Sequence, residues 1–598
     1  MKKLLSGNEA IALGAYHAGV AVAAAYPGTP STEILETLAG FEGLYVEWST
    51  NEKVALEVAI GASYGGVRAL AAMKHVGLNV AADPFFAVAT TGVGGGLVIV
   101  SCDDPGMHSS QGEQDNRNYA HFAKVPMFEP TDSEDAYNLM PWLFRVSEEF
   151  DTPVLLRSTT RISHCKGIVQ VGGERPVSSA IPAFRHDPQK YVMIPAYARR
   201  RREIMEDRLK KLAGYVEQFP MNQIIQGSRK LGMIASGIGY QYARDVFKDA
   251  SFLKLVSTYP LPAGLIKKFA GGVEKVVVIE ELDPFLEEQI RGLGIPVSGK
   301  AFIPPFGELN PDIVRAGAVK AGLVPEKEKK LISLPPLQMR PPLLCPGCPH
   351  RATEYGLRRL GYRSPEEVGA KPAFKSGGII VTSDIGCYTL GVMPPLGALD
   401  TCACMGASIG QAIGLAKAGV KEKIVAVIGD STFMHSGITG LADMVYSQTG
   451  ITVIILDNGT TAMTGHQGHP ATGVSARGEK AGRVDLEALV KGIGIKRVSV
   501  VDAFNVGLLQ KAIKASINSG EPSVVIARGD CPLNVGAGAK PLVIDREACG
   551  NCQLCLGLGC PAITLAGGKP EITELCAGET CGVCARICPQ SAIGETRP

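Results

Sequence analysis

The sequence has little net charge and no long apolar run. Across its 598 residues the formal net charge is only +2, which argues against a nucleic acid or an anionic membrane as the partner. In the most basic stretch, residues 185–223, the cluster of arginines and lysines at 199–211 has no aromatic residues interleaved with it that could stack on bases. A bilayer-spanning helix needs about 18 or more consecutive apolar residues, and no such run occurs. Nucleic-acid binding and membrane insertion are therefore not expected.

The first residues imitate a secretory signal peptide. Two lysines precede an apolar stretch that ends in small residues. However, Asn8 and Glu9 interrupt the apolar core and Gly7 and Gly14 weaken it. We therefore expect this stretch to be the first helix and strand of a cytoplasmic protein.

The cysteines are numerous and unevenly placed. Eight of the sixteen lie within the last fifty residues. In so long a chain this crowding indicates metal ligands in a reducing compartment better than it indicates disulfides. The apolar share of 45 % and the 71 glycines are typical of compact α/β domains.

The order of helical and strand-like segments predicts several α/β domains. In the first 185 residues helices over Asn8–Ala18, Ser31–Leu38 and Lys53–Tyr64 alternate with strands over Val20–Tyr26 and Tyr45–Trp48, which is typical of a doubly wound parallel sheet. We expect a linker with a solvated helix at 186–225, a smaller α/β domain at 226–335, a second large α/β domain at 336–540 after a proline-rich link, and a cysteine-rich domain at 541–598.

A strand-helix-strand unit at residues 423–459 is the centre of the second large domain. Its two β-branched runs end in Gly429-Asp430-Ser431 and Asp457-Asn458-Gly459. In a parallel sheet the carboxyl ends of neighbouring strands meet at one edge, where ligands bind. A carboxylate and an amide oxygen there suit Mg²⁺. The alternative is that Asp430 and Asn458 only mark turns.

The cysteines at the end of the chain form two tetrads, each followed by proline. Their spacings, C-x2-C-x2-C-x4-C and C-x4-C-x2-C-x3-C, fit a two-cluster bacterial ferredoxin, in which the fourth cysteine of each tetrad crosses to the other cluster. One [4Fe–4S] cluster is then expected on Cys549, Cys552, Cys555 and Cys588, and the other on Cys560, Cys576, Cys581 and Cys584. Both tetrads contain extra residues relative to the usual repeat. Two zinc knuckles are the alternative.

Several segments together resemble a known enzyme family. The GDS…N arrangement of Asp430 and Asn458 is similar to the signature of thiamine diphosphate (ThDP) enzymes. CPGCPHR, SDIGCYTLG, TCACMGASIGQAIGLA, AYPGTPSTEI and TTAMTGHQGHPATG resemble segments of ferredoxin-dependent 2-oxoacid oxidoreductases, in the same order. The resemblance covers the whole chain. It implies pyrimidine-binding and diphosphate-binding ThDP domains, a transketolase C-terminal-like domain at 226–335 and a ferredoxin domain.

The resemblance also implies which residues bind the cofactor. The Mg²⁺ ligands would be Asp430, Asn458 and the main-chain carbonyl of Thr460. Further contacts to ThDP or a metal are expected from these residues: Gly429, Ser431, Met405, Thr464, Cys348 and Cys387.

Two side chains are expected to act on the reacting atoms. Glu52 would face N1′ of the aminopyrimidine and promote loss of the C2 proton. Glu57, one helical turn later, competes for that role. His466 is a candidate acid or base. Thr29, Arg117 and Arg161 are candidates for binding a 2-oxo acid carboxylate, although each arginine could equally form an ordinary ion pair and the loop of Thr29 a simple helix cap.

Some metal assignments stay open. Cys345, Cys348 and His350, with Cys387, Cys402 and Cys404 as further ligand candidates, allow a zinc site or a third iron–sulfur cluster. His466 and His469 lie in a glycine-rich loop without a third ligand, which is a poor metal cage. Met405 could instead fill the core.

The resemblance implies an activity and partners. The reaction would be oxidative decarboxylation of aryl pyruvates with coenzyme A, with electrons passing through two clusters to ferredoxin. A smaller second subunit would complete a heterotetramer. The alternatives are oxidation of another 2-oxo acid, a non-redox ThDP decarboxylase or ligase with structural clusters, and an electron-transfer scaffold that binds no ThDP.

Overall fold

The computed structural model describes residues 1–173, 175–176, 184–326, 342–361, 378–535 and 540–595. The chain divides into two compact units, Met1–Ile332 and Ser333–Pro598. The proline-rich link expected near residue 335 lies outside the described residues. None of the described helices is both long and apolar enough to cross a bilayer.

The first unit is built on a seven-stranded sheet whose buried strands consist mainly of alanine, valine, isoleucine and leucine. All neighbouring strands are parallel except Ser257–Tyr259 and Met127–Phe128 at one edge. A largely parallel sheet is expected where helices cover both faces. In spatial order the strands are Ser257–Tyr259, Met127–Phe128, Val154–Thr159, Leu97–Asp103, Ala69–Lys74, Val22–Ala25 and Tyr45–Trp48.

A five-stranded sheet follows in the same unit. Its strands are parallel except for the edge strand Gln223–Ile225. In spatial order they are Val297–Ser298, Val276–Ile279, Ser228–Ala235, Ala250–Lys254 and Gln223–Ile225. One apolar core contains residues of both sheets, including Ile99 of the larger sheet and Ile234 of the smaller one.

Helices cover the sheets of the first unit. The strands Lys2–Ser6 and Lys166–Gln170 form a separate antiparallel pair. The predicted helices and strands of residues 8–64 are present with ends shifted by a few residues. The helices are Gly7–His17, Thr32–Ala39, Glu52–Tyr64, His75–Val80, Ala82–Thr91, Arg117–Ala123, Ser133–Phe150, Thr160–His164, Pro188–Tyr191, Pro195–Val216, Gly237–Val246, Ala263–Ala270, Phe285–Gly292 and Pro311–Lys320.

The polar stretch after Cys102 ends in the helix Arg117–Ala123. Ser31 does not cap the following helix with its side chain. Its hydroxyl donates instead to the carbonyl oxygen of Gly28, 2.8 Å away.

The second unit contains a six-stranded, all-parallel sheet. In spatial order its strands are Thr401–Cys402, Ile379–Ser383, Lys423–Gly429, Thr452–Asp457, Ser523–Arg528 and Arg497–Asp502. Its α-helices are Pro349–Arg359, Ala407–Lys417, Asp430–Thr432, Ile438–Tyr446, Leu486–Ile493, Val506–Ser519, Pro532–Val535 and Val583–Ile587. Short antiparallel pairs, Val543–Ile544 with Ile593–Gly594 and Ile563–Ala566 with Lys569–Ile572, organise the cysteine-rich end.

The predicted strand-helix-strand unit is present at the centre of this sheet. Lys423–Gly429 and Thr452–Asp457 are parallel neighbours, and Gly429 pairs with Leu456. The helix between them contains a π-helical segment, Phe433–Gly437. Such segments are common at functional sites, because they change the direction in which a helix presents its side chains.

Candidate active site

Asp430 lies where the central strand of the second unit ends. Its carboxylate is buried and held by the backbone on both sides. Oδ1 accepts the N–H of Ser431 at 2.7 Å, and Oδ2 accepts the N–H of Gly459 at 2.8 Å. The second bond comes from the end of the neighbouring strand. Because Gly459 has a φ of +70°, the chain can turn there with its N–H directed at the carboxylate.

Asn458 joins Asp430 at the same edge. Its Oδ1 accepts the N–H of Thr460 at 3.3 Å, and its Nδ2 lies 3.3 Å from Nε2 of His350. The hydroxyls of Ser431 and Thr461 are 2.8 Å apart. The edge therefore collects carboxylate, amide and hydroxyl oxygens, a donor set suited to Mg²⁺.

Two buried histidines flank Asp430. His469 Nε2 lies 3.4 Å from Asp430 Oδ2 and makes no hydrogen bond within the described part of the chain. Burial lowers the pKa of His350 to about 4, so this ring is neutral at ordinary pH. A buried nitrogen without a partner beside these oxygen donors fits a site that accommodates a further polar group.

The loop after Asn458 contains His466 and Thr464. His466 has a φ of +68°, a strained conformation for a residue with a side chain, and strain of this kind clusters at functional sites. The hydroxyl of Thr464 donates to Oε1 of Gln467 at 2.6 Å. Thr464 thus stabilises the loop itself, which differs from the expected phosphate contact.

Met405 is half-buried and precedes the helix Ala407–Lys417. The core of this region contains Ile409, Ala412 and Ile413 from that helix but does not include Met405. Core filling therefore does not account for this side chain.

Glu52 occupies a comparable edge position in the first unit. It begins the helix Glu52–Tyr64, whose first turn is capped by the Asn51 side chain accepting the N–H of Val54 at 2.9 Å. Glu52 is only 4 % exposed. A methyl group on Gly77 would lie 2.7 Å from its Oε1, so the missing side chain of Gly77 makes room for the carboxyl group.

Glu57, the competing acid, has a different environment. It is exposed and forms an ion pair with Lys53 one turn earlier on the helix. Such a pair stabilises a solvated helix face. The geometry therefore favours Glu52 as the acid at the sheet edge.

The two arginines expected to bind substrate are held by carboxylates of the chain. Arg117 is fully buried and bonds Asp115 and Glu280, with Nη1 2.6 Å from Glu280 Oε2. Arg161 makes two bonds to Glu308, at 2.9 and 2.6 Å. Arg117 is thus a structural residue of a buried ion network, and the interpretation as a substrate ligand was wrong because no part of it is accessible. Arg161 is half-exposed but already neutralised.

Thr29 lies in the loop after strand Val22–Ala25. Its carbonyl oxygen accepts the hydroxyl of Ser109 at 3.2 Å, which joins this loop to the one after strand Leu97–Asp103. Thr29 is half-buried at the carboxyl edge of the sheet, where the sequence placed it.

The eight cysteines near the end of the chain line two largely enclosed cavities. One is lined by Cys549, Cys552, Cys555 and Cys588. The other is lined by Cys560, Cys576, Cys581 and Cys584, together with Cys348. In the second cavity burial, with a further contribution from the neighbouring cysteines, raises the pKa of the Cys584 thiol to about 12.

This division into fours corresponds to the crossed pairing that the spacing predicts. Within the described residues no three cysteine, histidine or acidic side chains have the arrangement of a metal site. The agreement concerns which cysteines line the same cavity. Each cavity contains the four cysteines expected for one cluster.

A third group of cysteines lies at the Asp430 edge. Burial raises the pKa of the Cys387 thiol to about 11, and Cys531 and Cys345 contribute as close neighbours. Cys531 donates its N–H to the carbonyl oxygen of Asn458 at 3.2 Å. Cys402 and Cys404 are exposed on and beside the edge strand Thr401–Cys402.

Comparison with known proteins decides the family. Residues 384–527 match the C-terminal TPP-binding domain of thiamine pyrophosphate enzymes, and residues 13–206 match the thiamine diphosphate-binding domain of pyruvate flavodoxin/ferredoxin oxidoreductases. The chain is 42 % identical to the indolepyruvate oxidoreductase subunit IorA of Archaeoglobus fulgidus, over 99 % of this chain and 97 % of the relative. The chain belongs to the IorA family of ThDP-dependent 2-oxoacid:ferredoxin oxidoreductases.

A second IorA relative agrees with this family assignment. The IorA subunit of Thermococcus kodakarensis is 40 % identical over 99 % of this chain and 96 % of its own length. A solved 2-oxoglutarate:ferredoxin oxidoreductase from Magnetococcus marinus is 15 % identical with a TM-score of 0.45, covering 54 % of this chain and 65 % of that one. The matched TPP-binding segment of this IorA family member contains Asp430 and Asn458, and the other matched segment contains Glu52.

Sequence reasoning missed one residue at each of the two sheet edges of this IorA family member. Cys531 follows the β-branched strand Ser523–Arg528, so its position at a strand end was a usable signal. Lys74 ends the apolar strand Ala69–Lys74 beside Glu52, where a single lysine gives no motif to recognise.

Proposed function

We propose that this chain carries the catalytic centre of an enzyme that converts aryl pyruvates such as indolepyruvate and CoA into aryl-acetyl-CoA and CO₂, and reduces ferredoxin. The observation that carries the proposal is the combination, in one unit, of an oxygen-lined sheet edge at Asp430 and two four-cysteine cavities. The names of the IorA relatives supply the substrate class.

Asp430, Asn458 and the carbonyl of Thr460 would hold Mg²⁺, with Gly429 and Ser431 close to the diphosphate. The bound ThDP would supply the electron sink for breaking the bond to the carboxyl carbon of a 2-oxo acid. The backbone N–H groups of Ser431 and Gly459 keep the Asp430 carboxylate oriented before any ligand arrives. Such preorganisation avoids reordering the site on binding.

Glu52 would hold a proton at N1′ of the aminopyrimidine, from a buried position at the start of its helix. The close packing against Gly77 limits the rotamers of Glu52. Met405 would support the cofactor, and His466 would move a proton near the reacting carbon. Thr29 would contact the substrate.

The cysteine cavities would each hold a [4Fe–4S] cluster, which takes up one electron at a time and delivers it to ferredoxin. Cys345, Cys387 and Cys531 form a candidate third metal site at the Asp430 edge, with Cys348 following as the second cysteine of the C-x2-C pair.

We propose a pyrimidine-binding domain at 1–185, a linker and helix at 186–225, a transketolase C-terminal-like domain at 226–335, a diphosphate-binding domain at 336–540 and a ferredoxin domain at 541–598. A smaller subunit, two copies of each chain in a cytoplasmic heterotetramer, external ferredoxin and CoA would complete the system.

The direct test is an anaerobic assay of the enzyme with its second subunit, using indolepyruvate, phenylpyruvate and pyruvate side by side with CoA and ferredoxin. We expect the two aryl substrates to be oxidised with a kcat/KM at least about tenfold above that of pyruvate, since one extra apolar contact is worth about 10- to 200-fold. Higher activity with pyruvate would contradict the aryl assignment, and no CoA-dependent oxidation of any 2-oxo acid would contradict the enzyme assignment.

Cys588→Ser tests the crossed pairing of the cysteines. We expect this variant to lose the cluster on Cys549, Cys552 and Cys555 while keeping the other, so that bound iron falls from about eight to about four per chain. The measurement is iron content together with EPR of the reduced protein.

Cys165→Ser is the control, because Cys165 is exposed and lies outside both cavities. Cys576→Ser should remove the opposite cluster. If Cys588→Ser and Cys576→Ser removed the same EPR signal, the crossed pairing would be wrong, and bound zinc in place of iron would remove the cluster assignment altogether.

A further inference from the structure

Lys74 lies at the carboxyl edge of the seven-stranded sheet. It is the last residue of strand Ala69–Lys74, between the strands that lead to Thr29 and to Asp103. Ligands of parallel α/β sheets bind at this edge. Gly28 permits the lysine to lie against the Thr29 loop, since a methyl group on Gly28 would come within 3.2 Å of its Cγ and Cδ.

The ammonium group of Lys74 retains donors for a ligand. Nζ donates to the carbonyl oxygen of Ser109 at 3.0 Å, and this is its one hydrogen bond in the part of the chain that the structure describes. An ammonium has three N–H donors. Ser109 in turn donates its hydroxyl to the carbonyl oxygen of Thr29. The lysine therefore joins two loops of the edge and has two donors left.

The pKa of Lys74 is lowered, because burial outweighs the carboxylates around the ammonium group. Desolvation lowers the pKa of Lys74, while Asp104 and Glu52 raise it. The Asp104 carboxylate is already engaged, because it accepts the N–H of Ser109 at 2.8 Å and the hydroxyls of Ser110 and Thr160 at 2.7 Å. Lys74 thus has no full-strength ion pair, unlike the two arginines.

We propose that Lys74 binds the carboxylate of the 2-oxo acid substrate, the role for which Arg117 and Arg161 are unavailable. Arg117 is buried in its own ion network and Arg161 is paired with Glu308. A partly desolvated ammonium next to Glu52 can receive a carboxylate with two N–H donors, and charge-assisted hydrogen bonds of this kind are strong. The inference rests on the proposed function, because it names the group that recognises the acid end of that substrate.

Inhibitor binding to the intact enzyme, loaded with ThDP, tests this role. The probes are 3-phenylpropionate, which carries the carboxylate, and its neutral amide. Wild-type enzyme is expected to prefer the acid, and Lys74→Met to reduce that preference about 10- to 100-fold, the usual value of a hydrogen bond between charged groups. KM for phenylpyruvate should rise by a similar factor. Lys74→Arg should restore part of both.

Two controls separate substrate binding from other roles. Lys210→Met removes an exposed lysine on the helix Pro195–Val216 and should change neither value. Exchange of the C2 proton of bound ThDP, followed by NMR, should be normal in Lys74→Met, because that step needs no substrate.

Three outcomes overturn the proposal. An unchanged preference for the acid in Lys74→Met, with active wild-type enzyme, removes Lys74 from substrate binding and leaves the proposed function intact. Slowed C2 exchange with unchanged preference would make it a positioning residue for Glu52. Wild-type enzyme that oxidises no 2-oxo acid would instead remove the proposed function, and this inference with it.

Discussion

Asp430→Ala should lose ThDP·Mg²⁺ binding and all turnover, while the visible absorbance of the clusters stays unchanged. Asp430 is the buried carboxylate at the sheet edge and the proposed Mg²⁺ ligand, so its removal would leave the diphosphate charge uncompensated. Mutation of a residue that only supports a metal ligand lowers metal affinity about 10- to 100-fold. Loss of the ligand itself is therefore expected to lower ThDP·Mg²⁺ affinity about 100-fold or more. The measurement is ThDP content after gel filtration, with calorimetric titration of ThDP at fixed Mg²⁺.

The same substitution removes two backbone hydrogen bonds, so a second variant is needed. Asp430→Asn keeps an oxygen that can accept the N–H of Ser431 but lacks the negative charge. It should fold normally and still bind ThDP poorly. Asp443→Ala, on the exposed face of the helix Ile438–Tyr446, is the matched control and should bind normally. Normal ThDP binding by both Asp430 variants would show that the site lies elsewhere.

Glu52→Gln should retain cofactor binding and lose C2 proton exchange. The amide is nearly the same size as the carboxylate, so the packing against Gly77 is kept, but it cannot share a proton with N1′. Proton transfer by a positioned side chain contributes about 10²- to 10⁴-fold, and kcat should fall by that factor. The exchange rate is measured by NMR after mixing the holoenzyme with D₂O.

Glu57→Gln provides the control for Glu52→Gln. Glu57 lies on the same helix but is exposed and paired with Lys53, so its replacement should leave exchange and kcat near wild type. Normal exchange in Glu52→Gln together with loss of exchange in Glu57→Gln would reverse the assignment of the two acids.

The central strand-helix-strand unit could be predicted because its signals are local. The β-branched runs and the residues that follow them are contiguous in the sequence, and the parallel arrangement then places Asp430 beside Asn458. The sharing of the terminal cysteines between two cavities was also predictable, because the two tetrads resemble those of two-cluster ferredoxins, in which the fourth cysteine of each tetrad crosses to the other cluster.

The environment of Arg117 could not be predicted in the same way. One of its partners, Asp115, is two residues away, but the other, Glu280, is 163 residues away, directly after strand Val276–Ile279 of the smaller sheet. Sequence periodicity does not report such long-range pairing. An arginine in a polar stretch after a strand has the same local pattern whether it contacts a substrate or a buried carboxylate.

Lys74 and Cys531 were missed for a related reason. Each is a single residue at the end of an apolar strand, and its meaning depends on the loops that converge there: the Thr29 and Ser109 loops for Lys74, and the Asn458 loop for Cys531. A polar residue at the carboxyl end of a parallel strand is therefore a candidate binding residue even where no motif surrounds it.

EPR spectroscopy of the anaerobic enzyme tests the whole account most directly. The oxidised protein, purified with its second subunit, is mixed with indolepyruvate and CoA in the absence of ferredoxin and frozen. Signals of reduced [4Fe–4S] clusters should appear in the wild type and be absent from Asp430→Ala and Glu52→Gln, although dithionite reduces the clusters of all three. Release of CO₂ from indolepyruvate while the clusters remain oxidised would contradict the claim that electrons from the substrate leave through this chain.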